Sequence, residues 1–300
     1  MKKTTLIIAT VAVIILLVFI GRAYLSVADF SIENPSWNGL SDLSGVNLQP
    51  LYNTADLSGV SPTDTTLLII SPTRNYTPAE SASVESFMAS GGKVVVMDDF
   101  GKADSLLDDI SSPITIYPVP LCDYEDYYIN HTFPVIQNFN PSPEMANVTD
   151  IILNYPASLN VSGSAYVLAQ TSSYGWLDFN DDGIYNGEEP MGTYAVVAKA
   201  NYGDGQLLVI SDPDILINSM LGLGSNNVFM NNILKGNVLL DVSHGRGLTP
   251  MGVVYFELKD NVTVQILIIL LLISGGYAFL HRHNVYNYIK RHVTRRPGTK

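Results

Sequence analysis

One cysteine in 300 residues, Cys122, rules out an intrachain disulfide, and its plain reading is a small buried hydrophobe. No Gly-x-Ser-x-Gly elbow is present, and no Gly-rich loop follows a strand to cradle phosphate. The five histidines (His131, His244, His281, His283, His292) have no metal-motif spacing. Asp241-Val-Ser243-His244 assembles the residue types of a hydrolytic triad, but neighbours in sequence rarely make one. Internal repeats and low-complexity linkers are absent too. Basic residues are scarce through the middle of the chain. All 28 acidic residues lie between positions 29 and 260, against seven basic ones: Arg74, Lys93, Lys102, Lys199, Lys235, Arg246 and Lys259. That balance excludes nucleic acid as a partner of this region, because a phosphate backbone would be repelled.

What the chain does have is two apolar runs, Leu6 to Ile20 and Val262 to Leu280, each near the ~20 residues that span a hydrocarbon core. Lys2 and Lys3 precede the first. Six basic residues and no acidic one follow the second. Positive segments stay in the cytoplasm, so both ends are expected inside and the acidic middle outside the cell membrane. The expected organisation is an N-terminal anchor at 1–28, an outer domain at 29–261, a transmembrane helix at 262–280 and a basic tail at 281–300. Ser26-Val27-Ala28 also has the small residues of a signal-peptidase site, but the length of the first run favours a retained anchor. Five Asn-x-Ser/Thr sequons, at Asn75, Asn130, Asn147, Asn160 and Asn261, agree with export and glycosylation. In the tail, Val285, Tyr288, Ile289 and Val293 recur at helical spacing beside Lys290, Arg291, Arg295 and Arg296. Such a segment is expected on anionic membrane lipid, with a cytoplasmic protein as the alternative.

The outer region reads as one α/β domain. Thr66 to Ile70 and Lys93 to Met97 are short continuous apolar runs, the signature of strands buried on both faces. Between them Thr77-Pro78-Ala79-Glu80 opens a helix whose buried stripe is Val84, Phe87 and Met88, and Gly91-Gly92 stops it. Strand, helix and strand at this spacing make a right-handed parallel crossover. A second helix is expected over Ala103 to Ile110. Upstream strands are expected at Asp29 to Ile32 and Val46 to Leu51, around a short helical turn. Tyr194 to Ala200 and Gln206 to Ser211 form a hairpin. Asn226 or Asn227 caps a last helix carrying Phe229, Met230, Ile233, Leu234 and Val238. Residues 118–171, rich in scattered Pro, Asn and Tyr, suggest a looser β-rich insertion in a mostly parallel sheet.

Two groups of residues carry possible chemistry. Asp178-Phe-Asn180-Asp-Asp182-Gly183-Ile184-Tyr-Asn186-Gly-Glu-Glu189 places oxygen ligands at positions 1, 3, 5 and 12 of a calcium loop, with Gly at position 6. Asp178, Asn180, Asp182 and Glu189 would supply side chains, Ile184 its carbonyl and Asn186 a water-bridged contact to a structural Ca²⁺. A solvated acidic turn is the bland alternative, since Asn, Asp and Gly favour turns anyway. Separately, Asp98, Asp99 and Asp212 fall at expected strand ends, where open α/β sheets bind ligands, and Asn34, Ser36, Ser71 and Arg74 can join that edge. Arg74 opposite Asp98 would be a plain ion pair.

Several blocks together resemble an uncharacterised prokaryotic family of membrane-anchored proteins with a domain like that of class I glutamine amidotransferases. They are Asp29 to Leu43, Ser71-Pro72, Gly91 to Val96, Gly205 to Asp214 with Asn218, and Asp241-Val-Ser-His244. The resemblance implies a flavodoxin-like sheet. It does not carry the activity, because the nucleophile of such enzymes is a Cys on the turn after a central strand. The equivalent turn here is Asp98-Asp99-Phe100-Gly101, and Cys122 lies elsewhere. The expectation is a non-catalytic binding or scaffolding domain with a protein partner in a membrane complex. The competing expectation is a metal-assisted hydrolase or transferase using the acidic edge.

Overall fold

The computed structural model describes residues 28–245, except Ser44, and scattered positions between 263 and 281. The chain divides into two compact units, Leu25–Leu248 and Met1–Tyr24 with Thr249–Lys300. Positions 1–27 of the expected anchor, Asn261 and the tail beyond 281 lie outside the described residues, as does most of the run 262–280. Among the described residues no helix is long and apolar enough to cross a membrane. In the second unit the described positions from 263 to 277 are helical, and the His281 ring stacks on Tyr277 at 4.3 Å.

In the first unit the elements run β1 (Asn47–Leu51), β2 (Thr65–Ile70), α1 (Pro78–Ala89), β3 (Lys93–Met97), α2 (Asp104–Asp109), β4 (Ile114–Tyr117) and β5 (Leu121–Asp123). Short strands follow: β6 (Val135–Ile136), β7 (Asn138–Phe139), β8 (Ile151–Ile152), β9 (Ser158–Val161), β10 (Tyr166–Gln170), β11 (Gly175–Leu177) and β12 (Met191–Gly192). The unit closes with β13 (Ala195–Tyr202), β14 (Gly205–Ile210), α3 (Asn218–Leu221), α4 (Asn226–Ile233) and β15 (Asn237–Asp241). The main sheet has the order β1-β15-β2-β3-β14-β13-β10-β7. Its first five strands are parallel, and from β14 onward the pairing is antiparallel. The architecture is therefore a mixed α/β sheet, not a mostly parallel one.

The continuous apolar strands behave as their sequence demands. Leu68, Ile70, Val95, Met97, Leu208 and Ile210 face one core, shared with Phe229, Met230 and Ile233 of α4. Leu67, Ile69, Val94, Val96, Leu207 and Val209 face the other, against Val84, Phe87 and Met88 of α1. Each such strand is thus buried on both sides, which is why it shows no alternation. Helix α1 begins with the expected capping box: Glu80 N donates to Thr77 Oγ1, and the Glu80 carboxylate accepts from Thr77 N at 2.8 Å. The β13–β14 hairpin turns at Gly203, whose φ of +56° suits glycine.

Three expectations are corrected. Asp29 to Ile32 is a turn segment, and residues 33–43 form further turns with no helix. The last helix ends at Ile233, and Val238 belongs instead to β15, a central strand between β1 and β2. Asn226 is not a cap: it lies inside the first turn of α4, fully buried, bonded to the backbone of Ile152 and Met220. The β-rich insertion is present as small pairings, β4 with β9, β5 with β11 and β12, and β6 with β8. The four described sequon asparagines, Asn75, Asn130, Asn147 and Asn160, are all exposed.

Candidate functional site: an acidic cleft at the carboxyl edge of the sheet

Strands β2, β3 and β14 end in register at Ile70, Met97 and Ile210. The next residues, Ser71, Asp98 and Ser211, therefore stand abreast, with Asp99 and Asp212 one step further out. Ser71 N donates to Met97 O at 2.8 Å and Asp98 N to Ile210 O at 3.1 Å, so the alignment continues past the strands. Ser71 holds a φ of +39°, a left-handed conformation unusual for serine. A cleft of about 180 Å³ opens here, bounded by Ser71, Asp99 and Asp214 on the sheet side and Asp29, Trp37 and Asn38 on the other. Among the described residues no basic side chain lines it.

The outer wall is the turn segment 29–43, whose shape is set by three residues. Asn34 is fully buried. Its Nδ2 donates to Ala28 O and Asn38 Oδ1, and its Oδ1 accepts from Ser36 N. Gly39 must lack a side chain, because a Cβ there would sit 1.8 Å from Asn34 O. Asn218, at the start of α3, donates to Asn34 O at 3.1 Å and Ser36 O at 2.7 Å and accepts from Asp42 N at 3.0 Å. The segment so pinned presents Trp37 with 67% of its surface exposed.

The carboxylates divide into two sets. Asp98 and Asp212 lie behind the cleft. Asp98 accepts from Gly101 N at 3.0 Å and Ala103 N at 2.9 Å, holding the turn that leads into α2, and burial pushes its carboxyl up to about 7. Asp212 accepts from Asn154 N at 2.6 Å and Asp214 N at 2.8 Å. Burial first, then the charge of Asp214, holds its carboxyl well above the usual range. Asn154 Nδ2 in turn donates to Asp214 at 2.6 Å. Asp29, Asp99 and Asp214 are the acids that face the cleft.

Of the residues expected at this edge, Ser71 and Asp99 line the cleft, Asp98 and Asp212 support it, and Asn34 and Ser36 shape its outer wall. Arg74 is elsewhere. Its guanidinium pairs with Glu80 at 2.8 Å and its Nε donates to Ser243 O, so the expected pairing with Asp98 is overturned. Sequence reasoning missed Asp29, Trp37 and Asn38. The visible sign was an exposed-type tryptophan between Asn34 and Gly39 in a segment too polar to be a core strand.

Two other groups lie apart. Asp241, Ser243 and His244 meet near the start of α1, but Ser243 Oγ and Asp241 both approach His244 Nδ1, at 3.0 and 2.7 Å. A triad needs serine and aspartate on opposite ring nitrogens, so this arrangement cannot relay a proton to the serine. Cys122 is buried, and burial followed by the nearby Asp178 and Glu189 pushes its thiol up to about 12. The loop 178–189 joins β11 to β12 in the insertion. Among the described residues no three His, Cys, Asp or Glu side chains gather to hold a metal.

A family model described as "Domain of unknown function (DUF4350)" matches residues 32–234, more than half of the chain. No curated protein matches. Among solved structures, one described as mmIFT52 N-terminal domain is 18% identical with a TM-score of 0.47, over 61% of this chain and 79% of that one. A ThuA-like protein from Bacteroides uniformis is 12% identical with a TM-score of 0.38, over 61% and 71%. A beta-galactosidase from Bacillus circulans sp. alkalophilus is 15% identical with a TM-score of 0.31, over 56% of this chain and 22% of the enzyme. At these scores none of the three bears on function.

Proposed function

The chain belongs to the DUF4350 family, and we propose that it is a non-catalytic, extracytoplasmic binding domain of a membrane-anchored protein, which captures a basic group of a partner protein in a membrane complex. The observation that carries this reading is the cleft itself. Three carboxylates and an exposed indole converge on one cleft, whose described lining residues include no basic one. Carboxylates attract a lysine ammonium or arginine guanidinium, and a tryptophan face adds a cation–π contact of ~0.5–1 kcal/mol at an exposed site. The anchor and orientation rest on the two apolar runs and the basic tail, which also implies contact with lipid. Glycosylation at the exposed sequons is consistent with the same side of the membrane.

The absence of chemistry is supported by how the acids are used. Asp98 and Asp212 spend both oxygens on backbone N–H groups, and the thiol of Cys122 is buried and hard to ionise. One feature favours a hydrolase or transferase instead: burial pushes the Asp98 carboxyl up to about 7, where a general acid–base group works best.

Titration of the detergent-solubilised full chain with a lysine-rich peptide separates the two. Of the two tryptophans Trp176 is fully buried, so quenching of the exposed one reports on Trp37. Saturable binding that weakens with salt is expected. Followed by calorimetry, Trp37→Ala should raise Kd about two- to fivefold, and Asp99→Asn with Asp214→Asn about tenfold, equivalent to ~1.4 kcal/mol. Binding unaffected by either change overturns the assignment of the cleft, and peptide turnover that is lost in Asp98→Asn favours the enzyme.

A further inference from the structure

The motif left unused by the cleft is the loop 178–189, and its backbone adds something that sequence alone did not show. Strand β11 pairs with β12 so that Gly175 faces Gly192 and Trp176 faces Met191. Leu177 N then donates to Pro190 O at 3.3 Å, which carries the antiparallel register one step further. The next step sets Asp178 opposite Glu189. Both are buried, with 1% and 6% of their surface exposed. No ion pair among the described residues includes either. Like charges directly opposite on an antiparallel pair are destabilising, and burying them without a counter-charge is more so.

The two carboxylates are used unequally. Asp178 curls the loop around itself, accepting from Gly183 N at 2.6 Å and Asp182 N at 3.3 Å, with Gly183 at a φ of +67°. Glu189 accepts only from Asn186 N within the loop, at 3.4 Å, through Oε2. Its Oε1 is buried and has no hydrogen-bond partner. Asp182 and Asn180 stay on the exposed side, joined to each other at 3.0 Å. Asp178 and Glu189 also lie close enough to Cys122 to help raise its thiol, after burial, so both charges act on one small volume.

From this we infer that the loop is a Ca²⁺ site, in which a hard divalent cation neutralises the facing pair Asp178 and Glu189 and takes up the idle oxygen of Glu189. Asp182 and Asn180, which are not gathered with that pair in this structure, would turn in from the exposed side and complete the oxygen set with the Ile184 carbonyl. Two pre-placed carboxylates do not make a tight site, so the affinity expected is that of extracellular modules, about 10⁻⁴–10⁻³ M. The role is to lock the β11–β12 hairpin, and with it the aromatic cluster in which Tyr185 meets Trp176 edge-on at 5.8 Å and His131 meets Trp176 at 5.3 Å.

Calcium titration of the full chain in detergent tests the site by calorimetry and by Tb³⁺ luminescence sensitised through Trp176 and Tyr185. One saturable site is expected, with a rise in Tm. Asp182→Ala, at an exposed position, should raise Kd about tenfold or more. Glu189→Gln gives the sharper test. It removes a like-charge contact without calcium and a ligand with calcium, so it should raise Tm in chelator and abolish the calcium-dependent increase. The site is overturned by the absence of binding up to about 10 mM Ca²⁺, or by binding unchanged in both variants. It is equally overturned if Glu189→Gln lowers Tm in chelator, which would mean that the protein alone satisfies that carboxylate.

Discussion

Replacing Asn226 by alanine is expected to cost about 3–5 kcal/mol, one of the largest effects of any single polar substitution in the domain. The side chain is completely buried and makes three bonds to main-chain groups. It accepts from Ile152 N at 2.9 Å, and donates to Ile152 O at 2.9 Å and Met220 O at 3.0 Å. Truncation leaves the N–H and the carbonyl of Ile152 without partners in the core, while Met220 O keeps its bond from Leu223 N at 3.0 Å, and each such loss costs ~1–3 kcal/mol. The damage would not stay local, because these bonds join three parts of the chain: β8, the end of α3 and the start of α4. Asn226→Asp should be at least as harmful at neutral pH, since a carboxylate oxygen would face two carbonyl oxygens. Urea unfolding followed by circular dichroism measures both. A loss below about 1 kcal/mol for Asn226→Ala would mean that water replaces the side chain.

Asn226 also illustrates what a single sequence can and cannot reveal. Read locally, an asparagine before an apolar stripe is a helix cap, yet its partner Ile152 is 74 residues away. Features that are local in physics were legible: the Thr77–Glu80 capping box, the glycine stop of α1, and the doubly buried strands β2 and β3. Strand β15 was not. Val238 follows Leu234 at helical spacing, and the pattern continued smoothly from Phe229 into a strand whose identity is set by pairing with β1 and β2. Gly236, with a φ of +72°, was the visible stop between them. The candidate site divides in the same way. Asp98, Asp99 and Asp212 were recognisable because runs of buried strand must end, and acids there stand out. The opposite wall was hidden, since the position of Trp37 depends on Asn218 gripping a segment more than 180 residues earlier. The two- and three-residue strands of the insertion are too short for any periodicity to appear.

The second large effect is expected at Asp241, where substitution by asparagine should remove ~3–5 kcal/mol at neutral pH. Its carboxylate, buried at the end of β15, accepts from Tyr76 OH at 2.5 Å, Ser243 N at 2.9 Å, Ser243 Oγ at 2.6 Å and His244 Nδ1 at 2.7 Å. Tyr76 stacks on His244 with ring centroids 3.6 Å apart, so the anion anchors a closed cluster. Burial alone would raise this carboxyl, but the bonds from His244, Ser243 and Tyr76 outweigh it and hold it below the ordinary value. A group held low stabilises the fold above its unfolded value and ceases to as pH falls through its folded one. The loss in Asp241→Asn should therefore be constant above about pH 5 and shrink as wild type is acidified below about 4. Asp98, pushed up to about 7, has the opposite sign: its contribution is full below its unfolded value and is lost as pH rises towards 7. Since that term is common to both proteins, the difference between variant and wild type isolates Asp241. The cluster also reaches the cleft, because Thr73 N donates to His244 O at 2.8 Å, two residues beyond Ser71. Asp241→Asn should thus weaken peptide binding as well as stability. Full binding in a folded but destabilised variant would separate the cluster from the cleft and confine it to holding β15 against α1.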